Sequence, residues 1–309
     1  MDNFFLSVIV PVYNEQENIK PLLDRLLPVA KEYQYEIIFV DDGSVDKTAS
    51  AVKKYSVKNP AIKLVSFYRN FGHQMALVAG YESAIGDAVI TIDADLQDPP
   101  EIIDDMVKKW QSGAKIVYAK RRERQGESFF KLGTATFFYK LINFLSDTPI
   151  PNEVGDFRLL DKTAVDYLKN LKEKPNFLRG LVAWPGFPTQ YVFFKRDKRF
   201  SGETHYGFFK MLNFALEGIM SFSTKPLRMA TYFGFLSAGL GFVGLLYEVV
   251  KRILYPETFV TGWIGIFVAV MFLGGIQLMT IGIIGEYIGK IYKEIQNRPN
   301  YLIKEKINL

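Results

Sequence analysis

From Leu6 onward the chain alternates short apolar, β-branched runs with longer stretches of helical length. The runs are Ser7-Val8-Ile9-Val10, Glu36-Ile37-Ile38-Phe39-Val40, Ile62-Lys63-Leu64-Val65, Ala88-Val89-Ile90-Thr91-Ile92 and Lys115-Ile116-Val117-Tyr118. Helical segments separate them near residues 17–32, 46–57, 74–84 and 100–111. Strands that are apolar at nearly every position, each followed by a helix, predict an α/β fold with a mostly parallel sheet covered on both faces. Ligands of such sheets bind beyond the carboxyl ends of the strands, where the strand order switches direction. Three strand ends carry polar clusters: Pro11-Val12-Tyr13-Asn14-Glu15, Asp41-Asp42-Gly43-Ser44 and Asp93-Ala94-Asp95.

The pattern changes in the last third of the chain. Met229 to Val250 holds one charge, Glu248, and Gly262 to Gly285 holds none. Each exceeds the ~20 residues that cross ~30 Å of hydrocarbon, which predicts two transmembrane helices. A pair of buried core helices is the competing reading, but globular helices of this length keep a polar face. Lys225 and Arg228 precede the first span, Lys290, Lys293, Arg298, Lys304 and Lys306 follow the second, and Lys251 and Arg252 lie between. The positive-inside rule therefore places the N-terminal region and both ends of the hairpin in the cytoplasm. The N-terminus has no basic, signal-like region before its first strand. Ser237/Gly241 and Gly285/Gly289 have a small-xxx-small spacing that permits close packing within the hairpin or homo-oligomer formation between chains. Residues 128–146 and 207–222 mix large apolar side chains with lysines, the pattern of interfacial amphipathic helices or of helices packed on the soluble region.

Composition narrows the chemistry. The 309 residues are 49% hydrophobic and 15% aromatic, which excludes disorder. There is no cysteine, which excludes disulfides and thiolate metal sites, and with His73 and His205 the only histidines a structural zinc site is not expected. Any metal must be held by oxygen. The net charge of +5 is modest for this length, and no zinc finger or RNA-binding signature is present, so nucleic acid is not an expected partner. The chain also lacks a Gly-x-Gly-x-x-Gly after the first strand and a Gly-x-x-x-x-Gly-Lys-Ser/Thr, which disfavours dinucleotide oxidoreductases and P-loop enzymes.

Asp93-Ala94-Asp95-Leu96-Gln97-Asp98 lies between a buried strand and Pro99-Pro100. Two carboxylates and an amide there suit Mg²⁺ or Mn²⁺, which take one or two protein carboxylates and fill their shell with phosphate oxygens and water. Aspartates at the other strand ends suit the hydroxyl and imino groups of a ribose and base. That division of labour fits a nucleotide-sugar site.

The motifs Val8-Ile9-Val10-Pro11-Val12-Tyr13-Asn14-Glu15, Val40-Asp41-Asp42-Gly43-Ser44, Asp93-Ala94-Asp95-Leu96-Gln97 and Phe177-Leu178-Arg179-Gly180-Leu181 occur in this order. Together they resemble the inverting GT-A glycosyltransferases that act on polyprenyl phosphates. The resemblance extends to Arg199-Phe200-Ser201-Gly202-Glu203 and the paired apolar helices, which are similar to the bacterial glucosyltransferase branch. It implies a GT-A catalytic domain over 1–205, cytoplasmic, then a juxtamembrane amphipathic helix over 206–228, two transmembrane helices over 229–290 and a cytoplasmic tail over 291–309. It also implies that Pro11, Tyr13, Glu15, Val40 and Asp42 line the base and ribose pocket, with Asp93 at the donor. Asp95 and Gln97 would ligate the metal, and Arg121 and Arg199 would contact donor diphosphate or acceptor phosphate. Asp156, in Gly155-Asp156-Phe157-Arg158, would contact the sugar or orient the acceptor.

Bland alternatives stand beside these roles. Tyr13 could be packing, Asp42 a cap of the next helix, Arg121 part of a solvated face and Asp156 one half of a salt bridge with a neighbouring arginine. Where the family often has a lysine after the Gly-Glu position, this chain has Thr204-His205-Tyr206, and a histidine there need not be charged at neutral pH. His73 is read as part of the loop opening a helix, without a catalytic role. The implied reaction is inverting transfer of a hexose to undecaprenyl phosphate at the inner membrane. UDP-glucose is the favoured donor, with GDP-mannose or a UDP-linked amino sugar as alternatives. A processive polysaccharide synthase is disfavoured, because no Gln-x-x-Arg-Trp motif is present. A non-catalytic membrane scaffold is disfavoured by the intact Asp93/Asp95/Gln97 set, and a flippase by the short polar path two spans provide.

Overall fold

The computed structural model describes residues 4–121, 154–171, 177–195, 223–254 and 263–309. The described residues up to Lys195, together with 298–309, form one unit, and those from Ser223 to Asn297 form another. In the first unit, β1 (Phe5–Val12), β2 (Gln34–Asp41), β3 (Ile62–Phe67), β4 (Ala88–Thr91) and β5 (Ile116–Arg121) follow the predicted runs. Three further strands complete the described sheet: β6 (Val154–Asp161), β7 (Thr189–Phe194) and β8 (Ile303–Ile307). The order is β7-β5-β6-β4-β1-β2-β3-β8. β1 pairs in parallel with both β2 and β4, and β2 pairs in parallel with β3, so the order reverses on either side of β1. β6 runs antiparallel to both β4 and β5. This reversal brings the start of β6 to the same edge as the ends of β1, β2 and β4.

Helices α1 (Ile19–Ala30), α2 (Thr48–Ser56), α3 (His73–Ser83) and α4 (Ile103–Gln111) connect the parallel strands. α5 (Lys162–Lys169) and α6 (Leu178–Ala183) follow β6. α1 shows why the pattern was readable: Ile19, Leu22, Leu23, Leu26 and Ala30 are its buried residues, one stripe at helical spacing. Each fully buried leucine there contributes about 1.5–3 kcal/mol. One face of the sheet packs Val8, Val10, Ile37, Phe39 and Ile90 against α1, α2 and α4. The other packs Ile9, Ile38, Val40 and Val65 against Ala76, Leu77 and Tyr81 of α3. The sheet is covered on both faces, as its apolar strands require.

In the second unit, α7 (Lys225–Leu254) and α8 (Trp263–Ile295) are 30 and 33 residues long. Both are long and apolar enough to cross a membrane, and their most apolar windows are almost wholly exposed rather than packed as core helices would be. At 1.5 Å per residue α8 is about 50 Å long. The span expected to end at Gly285 thus continues as helix to Ile295, past the point where Glu286, Lys290 and Lys293 appear. The helices contact each other, and Tyr287 Oη donates to the Ser223 carbonyl at 2.6 Å. A Cβ added at Gly241, Gly285 or Gly289 would meet nothing within 4 Å. Close backbone approach at these glycines is therefore not what joins the two helices. The two expected amphipathic helices, 128–146 and 207–222, lie outside the described residues.

The C-terminal segment departs from the sequence reading. Residues 291–309 were expected to form a tail, but β8 adds an antiparallel edge strand to β3. Tyr301 stacks on Phe67 with centroids 4.8 Å apart and hydrogen-bonds Glu82. Asn308 Nδ2 donates to the carbonyls of Ser56 and Ile62, at 2.9 and 3.0 Å. In Ile303-Lys304-Glu305-Lys306-Ile307 the two apolar residues are four apart, a spacing that does not distinguish strand from helix, so five residues give a weak signal. A chain ending at Asn300 is expected to lose about 2–4 kcal/mol from these bonds and the uncovered apolar surface. It should also aggregate more readily through the bared β3 edge. Urea unfolding in detergent and light scattering check both, and an unchanged midpoint would deny β8 its role.

Candidate active site

The register of β4 and β6 assembles the centre of the site. Thr91 pairs with Arg158 in an antiparallel ladder, so extending it by two residues sets Asp93 opposite Asp156. The Thr91 hydroxyl donates to the Asp156 carbonyl and fixes the alignment. Two carboxylates placed across a ladder repel, and the surroundings supply cations. Arg179 of α6 grips Asp156 with two parallel bonds, Nε to Oδ1 at 3.1 Å and Nη2 to Oδ2 at 2.9 Å. Fully buried Arg158 brings Nη2 to 3.6 Å from Asp156 Oδ1, and its Nε donates to Tyr81 Oη at 3.2 Å. His73 Nε2 stands 3.5 Å from Asp156 Oδ2 and 3.7 Å from Asp93 Oδ1.

These charges set the protonation states. Burial works to raise the Asp156 pKa, but Arg179, His73 and Arg158 together hold it well below the usual carboxylate range. Burial opposes a charged His73 ring. The hydrogen bond to Asp156 and the charges of Asp93 and Asp156 prevail and raise its pKa to about 9. Desolvation pushes Asp93 up, His73 pulls it down, and the Asp156 and Asp95 carboxylates push it up again; the net direction is upward. At neutral pH the site holds an imidazolium and an ionised Asp156, which is an acceptor only.

The pocket residues expected from β1 and β2 divide by exposure. Pro11 and Val40 are register partners, and Val40 is fully buried in the α3-side core. Its side chain is therefore sheet packing, not pocket lining. Tyr13 is 44% exposed just past the end of β1. Glu15 accepts from Asn18 Nδ2, and its own N–H donates to Thr48 Oγ1 at 2.9 Å. Asn14, at φ 55°, is joined to the β2 loop in both directions: its N–H donates to Ser44 Oγ and its Oδ1 accepts from Val45. Both oxygens of buried Asp42 accept backbone N–H bonds, Oδ1 from Phe71 at 2.6 Å and Oδ2 from Gly72 at 2.9 Å. Asp42 thus latches the turn that opens α3 and does not cap α2. Gly43 is needed here: its φ is +69°, and a Cβ would come within 2.4 Å of the Arg69 backbone.

Beyond β4, Asp95 Oδ1 accepts from the Gln97 N–H at 3.1 Å across Leu96, whose φ is 60°. This short turn places Asp95 and Gln97 together, and Pro100 then opens the helical segment leading into α4. No group of three or more acidic or histidine side chains suited to a metal is found among the described residues. One carboxylate and one amide oxygen still fit a hard cation whose remaining ligands are diphosphate and water. Arg121, at the end of β5, is 27% exposed and lies 4.0 Å from Asp98 Oδ1. Arg199 lies outside the described residues.

His73 and Arg179 are the site residues that sequence reasoning missed. His73 follows Gly72 past the end of β3, a strand end not counted among the polar clusters. Arg179 sat in a recognised motif, but its partner is 23 positions away, and only the fold joins them.

The mostly parallel sheet, with its antiparallel return at β6 and acidic groups at the switch point, agrees with the GT-A fold that the motif resemblance implies. Residues 7–168 match the model of Glycosyl transferase family 2, and residues 225–291 match the GtrB C-terminal hairpin. The chain belongs to glycosyl transferase family 2, in agreement with the motif resemblance. It is 44% identical to the uncharacterized glycosyltransferase YkcC of Bacillus subtilis, over 98% of this chain and 94% of that protein. It is 43% identical to the SfII prophage-derived bactoprenol glucosyl transferase of Shigella flexneri, over 97% of both. Among solved structures, that of a mycobacterial protein covers 70% of this chain and 73% of its own at a TM-score of 0.50 and 18% identity, a likeness of fold alone.

Proposed function

We propose that the chain transfers glucose from UDP-glucose to a polyprenyl phosphate such as undecaprenyl phosphate, with inversion, at the cytoplasmic face of the inner membrane. The observation that supports this best is the meeting of Asp93 and Asp156 on His73 at the switch point, in a chain whose second unit is a pair of exposed apolar helices. A near-full-length likeness to a bactoprenol glucosyl transferase favours the same acceptor and sugar.

The reaction asks little acid–base work of the protein. A phosphate monoester is anionic at neutral pH, so its oxygen attacks the anomeric carbon without a general base. The bond from that carbon to the diphosphate oxygen breaks, and its electron pair leaves with the nucleoside diphosphate. This agrees with a site whose Asp156 is locked ionised among three cations. Asp93 would orient the sugar, and Tyr13, whose ring is exposed, would meet the base. Arg121 and Arg199 are the basic side chains for the acceptor phosphate, arginine being suited to bidentate contacts with such oxygens. Asp95 and Gln97 would hold Mg²⁺ or Mn²⁺, which supplies Lewis-acid stabilisation of the departing diphosphate when bound.

Purified chain in detergent, offered radiolabelled UDP-glucose and undecaprenyl phosphate, should give a glucosyl lipid whose NMR coupling constants report a β linkage. GDP-mannose as the better donor would reassign the sugar. An α-linked product would reject single displacement, and no transfer from any nucleotide sugar would reject the enzyme reading.

A further inference from the structure

Asp93 and Asp156 face each other across the extended ladder of β4 and β6, and neither strand supplies a cation between them. Arg179 commits Nε and Nη2 to Asp156. Arg158 approaches Asp156 from within the core, fully buried. Among the described ion pairs, His73 alone stands within 4 Å of both carboxylates. Its backbone is held to match. Asp42 binds the N–H groups of Phe71 and Gly72 immediately before it. Gln74 Oε1, immediately after it, accepts from Leu178 N–H at 3.2 Å, which ties the start of α3 to the helix that bears Arg179. The ring is thus a bridge set between two anchored parts. Asp93 is the more exposed of the two carboxylates, with 38% of its side chain exposed against 6% for Asp156.

We propose that His73 is a positioning residue that holds Asp93 toward the donor sugar by bridging it to the arginine-anchored Asp156. The inference rests on the reading of Asp93 as the residue beside the donor. Without the bridge, Asp93 keeps only the charge of Arg179, beyond ion-pair reach, against the Asp95 and Asp156 carboxylates, and turning away relieves the repulsion. His73 acts through Asp93, so its removal should be felt by the sugar and not by the nucleotide.

Titration calorimetry with UDP and with UDP-glucose on the full-length chain separates these effects. His73→Gln is expected to weaken UDP-glucose about tenfold, a loss of about 1.4 kcal/mol, and to leave UDP within about twofold of wild type. His73→Lys, which restores a cation, should recover most of the UDP-glucose affinity. Retained UDP binding also shows that the variants are folded. Equal weakening of both ligands would make His73 a general support of the pocket and overturn the inference, as would a glutamine variant that binds like wild type. A lysine variant as weak as the glutamine one would show that charge is not the agent, again overturning it. If wild type itself binds neither ligand, the donor reading falls, and this inference with it; the wild-type control separates that failure from the others.

Discussion

Asp95→Asn is expected to lower glucosyl transfer by about 10²–10³-fold, the usual cost of removing one preorganised electrostatic contact to a leaving group, while leaving the fold intact. The separation is possible because Asp95 has two tasks. Its Oδ1 accepts the Gln97 N–H that shapes the turn, and an amide oxygen can still do that. What asparagine removes is the charge that a divalent cation needs. Transfer should therefore fall while the unfolding midpoint stays within a degree or so, and raising Mn²⁺ should restore part of the rate in Asp95→Asn but not in Asp95→Ala. EDTA should silence the wild type reversibly. Full activity in EDTA would end the metal assignment, whatever the variants do.

The second large effect is expected on stability. Asp156→Asn leaves Arg158, Arg179 and His73 facing a neutral amide. Breaking a buried pair by removing one partner costs about 3–5 kcal/mol, and the partial exposure of Arg179, 34%, favours the lower end. For a unit of this size, 3 kcal/mol corresponds to roughly 6–12 °C in Tm. The pH dependence gives a further check. The folded Asp156 pKa is depressed, so its contribution is present above the ordinary carboxylate range, near 3.9, and is lost only as pH falls through the lower folded value. The folded His73 pKa is raised to about 9, so its contribution is full below its ordinary value near 6.5 and is lost as pH rises through about 9. Asp156→Asn should flatten the acid side and move the alkaline loss toward neutrality. A variant with the wild-type midpoint and pH profile would show that the three cations are satisfied in some other way.

Much of the fold was legible because its elements are long and periodic. The runs that became β1 to β5 are apolar at nearly every position, and α1 and α4 bury single stripes at helical spacing. The apolar spans needed only their length. β6, β7 and β8 were not legible: Gly155-Asp156-Phe157-Arg158, inside β6, was read as a sugar-side segment, and β7 and β8 are short strands with an exposed alternate face. Asp95 and Gln97 could be read together because a two-residue spacing is local.

The sequence by itself determined the α/β class, the pair of apolar helices, the glycosyltransferase motifs and the acidic turn after β4, because each depends on residues close together in the chain. Only the tertiary structure decided which of the strand-end residues meet. The antiparallel return of β6 sets Asp156 across from Asp93, the end of β3 delivers His73 between them, and α6 supplies Arg179. It also turned Asp42 inward as a latch and Val40 into core. Charge pairing across 20 to 83 positions of sequence is settled by strand order, which joins segments that no local pattern pairs with one another.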